Sequence, residues 1–241
     1  MTAPLTRRLL AELVGTALLV TVVVGSGIAA EELSPDDVGL QLLENSLTTV
    51  FGLGVLILLF GPVSGAHFNP VVSAADWLLG RRSGSGLSGR DVAAYTGAQT
   101  VGAVLGAVLA NAMFDLAPLQ ISDKVRASPG LWLGEIVATA GLIALIFALA
   151  RSGRAALSAA AVGAYIGAAY WFTSSTSFAN PAVSIGRIFS DSFAGIAPGS
   201  VPAFVVAQVV GAALGLGLIV ALYPDVTRTA SPAVVPHDSR D

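Results

Sequence analysis

Asn69-Pro70-Val71 and Asn180-Pro181-Ala182 each continue with Val-Ser, and each opens an apolar run too short to cross a bilayer. Asn caps a helix by accepting from its first free N–H groups, and Pro suits the first turn, where the N–H it lacks has no intrahelical partner. Each copy therefore reads as the start of a half-helix. Two half-helices, one per repeat, place positive helix ends at the midplane of a membrane protein built from inverted repeats. The pattern points to a channel or a transporter.

Composition supports a membrane setting. Hydrophobic residues make up 54% of the chain and charged residues only 11%, where roughly 25% charged is ordinary for a soluble domain. The net charge of −3 suggests no nucleic-acid role, and the absence of Cys excludes disulfides, thiol catalysis and Cys-ligated metal sites. Six apolar stretches lie at about 9–30, 42–60, 92–112, 131–150, 156–173 and 202–222, each near the ~20 residues that span the hydrocarbon core. The first follows Arg7 and Arg8 but is too long for a signal peptide, so it reads as a retained helix.

Six spans place Arg7, Arg8, Arg81, Arg82, Arg90, Arg151, Arg154, Arg228 and Arg240 on one side, and only Lys124 and Arg126 on the other. The positive-inside rule then sets both termini in the cytoplasm, with the protein in the plasma (inner) membrane. Residues 224–241 are polar and Pro-bearing and read as a flexible cytoplasmic tail.

The halves match in register. Ala11-Glu12-Leu13-Val14-Gly15-Thr16 corresponds to Gly134-Glu135-Ile136-Val137-Ala138-Thr139, and Ala98-Gln99-Thr100-Val101-Gly102-Ala103 to Ala207-Gln208-Val209-Val210-Gly211-Ala212, with the Asn-Pro elements between. Three spans per repeat is an odd number, so the second repeat enters from the opposite side. The expected fold is an all-α membrane protein of six transmembrane helices plus two re-entrant half-helices. Residues 1–223 form one domain, with repeats at about 5–114 and 128–223. Gly102/Gly106 and Gly211/Gly215 have the helical spacing of close helix contacts.

Ser64-Gly65-Ala66-His67-Phe68-Asn69-Pro70 and Ser177-Phe178-Ala179-Asn180-Pro181-Ala182 resemble the two signature loops of the aquaporin, or major intrinsic protein, superfamily. The resemblance covers roughly residues 5–223. It implies a bundle around one pore, half-helices meeting end to end, and a homotetramer with a pore in each subunit. It also implies that Glu12 and Glu135 brace the half-helix loops, with Gln99 and Gln208 as bridging amides. From the residues alone, a mid-membrane acid that must find a partner fits either bracing or proton coupling. The Asn69 and Asn180 side chains can cap backbone and still donate to a passing oxygen.

The chain departs from the family where Val183 follows the second motif, since water-selective members and glycerol facilitators carry Arg there. Aligned back from Asn180, the companion filter positions are Ser177 and Ala168, with Ala169 as the gapped alternative. On the second span Phe51 is favoured by the local match and Thr49 by the ungapped count. A filter of Phe51, Ala168, Ser177 and Val183 would be wide and largely apolar. Arg187, one turn beyond Val183, is a possible vestibule charge, and Asp76 holds the equivalent place after the first motif. The Thr173–Ser177 hydroxyls serve either the vestibule or the loop backbone.

These features describe a passive channel for small uncharged solutes, not an enzyme, with no cofactor or metal expected. Arsenite as As(OH)3 ranks first among permeants, on the wide apolar filter and on the likeness of Tyr170 to Pro181 to bacterial channels placed with arsenic-resistance functions. Glycerol, urea and water follow. The alternatives are a water or glycerol facilitator without a metalloid role, an ion-coupled secondary transporter using Glu12, Glu135 or Arg187, and a closed membrane scaffold.

Overall fold

A computed structural model describes residues 3–81 and 85–223, so the expected tail lies outside the described residues. The described residues form helices joined by loops: α1 (Leu5–Leu33), α2 (Val38–Ser64), α3 (Pro70–Gly80), α4 (Gly89–Met113), α5 (Pro129–Arg151), α6 (Ser158–Phe172), α7 (Pro181–Gly186) and α8 (Val201–Leu222). Short 3-10 turns precede α6 and α8, and another, Arg187–Phe189, follows α7. Six of these helices are long and apolar enough to cross a membrane; α3 and α7 are the half-helices.

Several spans begin before their apolar stretches because polar residues cap them. Asp37 accepts from the Leu40 amide at 2.9 Å, Ser88 from Asp91 at 3.1 Å and Ser128 from Leu131 at 3.3 Å. Each bond satisfies one of the amides that an α-helix leaves unpaired at its start.

The repeat is visible in the packing, with α1 lying along α4 as α5 lies along α8. A side chain at Gly106 would put its Cβ 2.2 Å from the Ala17 carbonyl oxygen, and one at Gly215 would put it 2.5 Å from that of Ala140. Backbone therefore rests on backbone at both crossings. In lipid, where apolar burial does not draw helices together, such close contact is what holds them. α2 packs on α6 between the two pairs, and α3 and α7 occupy the space that the long helices enclose.

Candidate pore

Asn69 and Asn180 each cap their own half-helix. The Asn69 Oδ1 accepts from the Val71 amide at 3.1 Å, and the Asn180 Oδ1 from Ala182 at 3.0 Å and Val183 at 3.2 Å. Their Nδ2 groups reach across the pseudo-twofold axis: Asn69 donates to the Ala179 carbonyl at 2.7 Å, and Asn180 to the Phe68 carbonyl at 2.7 Å. These two bonds join the half-helices end to end. A carboxamide nitrogen carries two hydrogens, so each Asn keeps one donor beyond the bond it makes. Both residues line the central cavity.

The loops before the caps run through left-handed backbone at non-glycine positions, Ala66 (φ 48°), Phe68 (49°), Ser177 (50°) and Ala179 (48°). Such residues cost of order 1–3 kcal/mol each and persist only when their surroundings fix them. The buried carboxylates do the fixing. Glu12 accepts from the His67 amide at 2.9 Å, the Phe68 amide at 2.7 Å, Ser64 Oγ at 2.6 Å and Gln99 Nε2 at 2.7 Å. Glu135 accepts from the Phe178 and Ala179 amides at 2.8 Å each and from Gln208 Nε2 at 2.7 Å. Gln99 and Gln208 also donate to Ser73 and Ser184, at 3.1 and 2.9 Å, which ties each half-helix to its brace. Neither Glu lines the cavity.

One cavity passes both Asn residues. It offers about 70 Å³ to the centres of water-sized bodies, several times the roughly 10–15 Å³ that a single water requires. Its walls are mostly apolar and follow the repeat, with Leu19 and Val23 of α1 answering Leu142 and Ile146 of α5, and Val72 answering Val183. Polar groups enter at His67, Asn69, Asn180, Ser177, Thr49, Tyr170 and Arg187. The Thr173 hydroxyl donates to the Ala169 carbonyl of α6, that of Ser174 to the Gly130 carbonyl, and that of Ser175 accepts from the Ser177 amide, whereas Ser177 Oγ has no partner among the described residues.

Two expected filter positions are corrected. Phe51 is 68% exposed on the outer face of α2, and the cavity takes Thr49, Leu53 and Ile57 instead. Ala168 is exposed on α6, which presents Val162, Ile166 and Tyr170 to the cavity. The gapped alternative Ala169 is buried, but it does not line the cavity either. A helix turns about 100° per residue, so a position two residues from a lining residue faces about 200° away. Ser177 and Val183 line the cavity, and Arg187, buried to 2% exposure, joins them. Tyr170 was missed. Its spacing of four from Ile166, at the end of an apolar helix, was the available signal.

A family model described as "Major intrinsic protein" matches residues 1–179. The chain belongs to the major intrinsic protein family. It is 50% identical to an aquaglyceroporin, AqpS, of Rhizobium meliloti over 96% of this chain and 98% of that one. It is 34% identical to a glycerol uptake facilitator protein of Pseudomonas aeruginosa, over 86% of this chain and 85% of the relative. The crystal structure of an aquaglyceroporin from Plasmodium falciparum superposes with a TM-score of 0.63, covering 90% of this chain and 96% of that one. At 19% identity that likeness shows the fold alone.

Proposed function

We propose that this chain is a passive channel for small uncharged solutes, arsenite as As(OH)3 foremost, with glycerol and water as further permeants. The observation that carries the reading is the cavity itself, mostly apolar, with the two Asn amides among the few polar groups that line it. An apolar wall penalises a charged solute, which would lose hydration without replacement, and tolerates a compact hydroxylated one. The amides and two helix N-termini at the midplane orient an oxygen and oppose a cation. Val183 leaves the wall beside the second motif apolar, which favours a solute as broad as As(OH)3 over a water-only filter. The relatives named as an aquaglyceroporin and a glycerol uptake facilitator support the same solute class.

Ion-coupled transport is disfavoured by the carboxylates. Glu12 and Glu135 are fully buried, hold loop amides and stand off the cavity, so neither is available as a proton carrier on the path. The excess of Lys and Arg on the α1 N-terminal side supports cytoplasmic termini in the plasma membrane. Exposed apolar side chains such as Phe51, Val55, Leu58 and Leu59 of α2 suit lipid or neighbouring subunits of a homotetramer.

Proteoliposome flux tests the proposal, with water, glycerol and arsenite compared on the wild type and Val183→Arg. The wild type is expected to pass arsenite and glycerol well above empty vesicles without saturation. Val183→Arg is expected to lower arsenite flux about tenfold, by narrowing the wall and adding charge. Saturable, proton-dependent uptake would overturn the channel reading, and unchanged arsenite flux in Val183→Arg would overturn the filter argument.

A further inference from the structure

Val183 brings no charge to the cavity beside the second motif, yet a cation reaches the cavity from four residues further along. α7 ends at Gly186 and the chain tightens into the turn Arg187–Phe189. Arg187 folds back to the loop before α7, with its guanidinium carbon 3.4 Å from the centroid of the Phe178 ring. Phe178 is itself held edge-on against Phe204, 5.2 Å between centroids. The Arg187 Nε donates to the Ala194 carbonyl.

A guanidinium carries five N–H donors, and only the Nε donor of Arg187 has a protein acceptor among the described residues. No carboxylate pairs with it there. Its terminal nitrogens are not sealed into the packing, and the residue lines the cavity, so the remaining donors face the path. Arg126 provides the contrast. It lies 5.1 Å from the same ring, but it donates to the Gly195 and Phe193 carbonyls at 2.8 and 3.0 Å and stays off the cavity. Arg126 is built into the loop; Arg187 is left open. An unpaired buried cation costs stability that an apolar side chain of similar volume would not, so packing alone does not account for it.

The same cavity holds a second relocated group. Thr49 Oγ1 donates to the Asn45 carbonyl at 2.8 Å and lies 3.2 Å from the Tyr170 hydroxyl, which must then be the donor between them. The bond joins α2 to α6 and sets the Tyr170 ring in the wall, although α2 itself presents no aromatic ring to the cavity.

We propose that Arg187 and Tyr170 form a rebuilt selectivity filter. Arg187 supplies the fixed positive charge missing at Val183, and Tyr170, braced by Thr49, supplies the aromatic wall missing from α2. A neutral solute with several oxygens accepts from the free Arg187 donors while its apolar side passes the ring. Sodium, potassium and hydronium meet an unscreened positive charge. The proposal rests on the channel reading given above and deepens it.

The test uses the full chain in proteoliposomes, with glycerol-driven swelling, sodium flux and collapse of an imposed pH gradient measured on the same vesicles. Arg187→Gln is expected to raise cation and proton flux at least about tenfold while glycerol still passes. Arg187→Lys keeps the charge and is expected to restore the barrier. The exchange variant Val183→Arg with Arg187→Gln is expected to exclude cations again, and it carries the test should Arg187→Gln not yield folded protein. Cation flux in Arg187→Gln that stays at the wild-type level, with glycerol flux retained, overturns the rebuilt filter. So would leakage from the exchange variant equal to that of a cation-permeable Arg187→Gln. Absence of glycerol and arsenite flux in the wild type would instead overturn the channel reading.

Discussion

The two half-helices start alike and finish differently. Both open on a capping Asn, both carry Val three residues on and Ser four residues on, and both hang from a buried Glu–Gln pair. Seven residues past the Asn they part, with Asp76 in one and Arg187 in the other. α3 continues through that point, and Asp76 accepts from the Leu87 amide at 2.7 Å, holding the chain beyond the half-helix. α7 has already ended, and Arg187 turns back into the cavity. His67 beside Tyr95 at one end answers Phe178 beside Phe204 at the other, and the ring that replaces the imidazole is the surface on which Arg187 rests. Symmetry supplies the scaffold, and the proposed filter lies where the symmetry fails.

The braces offer the largest effect with which to probe this comparison. Glu12 accepts four hydrogen bonds and Glu135 three. Glu12→Gln is therefore expected to destabilise more than Glu135→Gln, each by about 3 kcal/mol or more, since bonds to a buried charge contribute about 1.5–3 kcal/mol apiece. Thermal unfolding of the purified protein in detergent checks the order. Equal losses would mean that Ser64, the extra donor to Glu12, adds nothing.

The two symmetry-related valines come next. Val72→Arg and Val183→Arg both put a guanidinium into the cavity wall, but only the second places it beside Arg187. Glycerol flux is expected to fall in both, and further in Val183→Arg, by about tenfold against wild type. Equal inhibition would remove the functional difference between the two ends.

Asp76→Asn sharpens the contrast from the other side. It weakens a charge-assisted bond to the Leu87 amide and is expected to cost about 1 kcal/mol, with solute selectivity unchanged. A shift in the glycerol-to-sodium flux ratio would show that Asp76 acts on the path after all.

The smallest effect lies in the loop that overlies the α7 end. Burial, and then Arg126, lower the Lys124 pKa to about 8, while Lys124 Nζ donates to the Phe193 carbonyl at 2.9 Å. In the unfolded chain the amine titrates near 10.4, so between those values the unfolded state binds more protons and stability rises with pH. The gain is less than about 1 kcal/mol once solvent screening of this half-exposed group is allowed for. Lys124→Met is expected to flatten the rise in unfolding temperature between pH 8 and 10.

The repeat and the caps were legible in the sequence because they rest on short matching runs and on neighbouring residues. The braces join residues 43 to 87 positions apart and were implied by the family resemblance, the residues alone leaving bracing and proton coupling open. Asn followed by Pro states a helix start locally, and a lone Glu in an apolar span states a need for donors. The filter was less legible. α2 and α6 face the cavity through Ile57 and Ile166, which lie 12 and 14 residues before their respective Asn. On α2 the ungapped count reaches Thr49, which lines the cavity, and the local match that favours Phe51 turns the wrong face inward. On α6 the count from Asn180 lands on Ala168, two residues from Ile166 and Tyr170 and so on the outer face. The course of Arg187 depends on the Phe178 ring before α7 and on the Ala194 carbonyl seven residues beyond it. That is tertiary information, which the spacing of Val183 and Arg187 suggested but could not fix.

The chain contains no Cys, which makes thiol blocking the most direct test of where solutes pass. Single variants Val72→Cys, Val183→Cys, Phe51→Cys and Ala168→Cys, each in proteoliposomes, would be treated with a small methanethiosulfonate while glycerol uptake is followed. Loss of uptake is expected at Val72→Cys and Val183→Cys, whose side chains line the cavity beside the two Asn residues, and none at Phe51→Cys or Ala168→Cys. Uptake that survives modification at both cavity positions, or stops at the outward-facing ones, would contradict a path running past the joined half-helix tips.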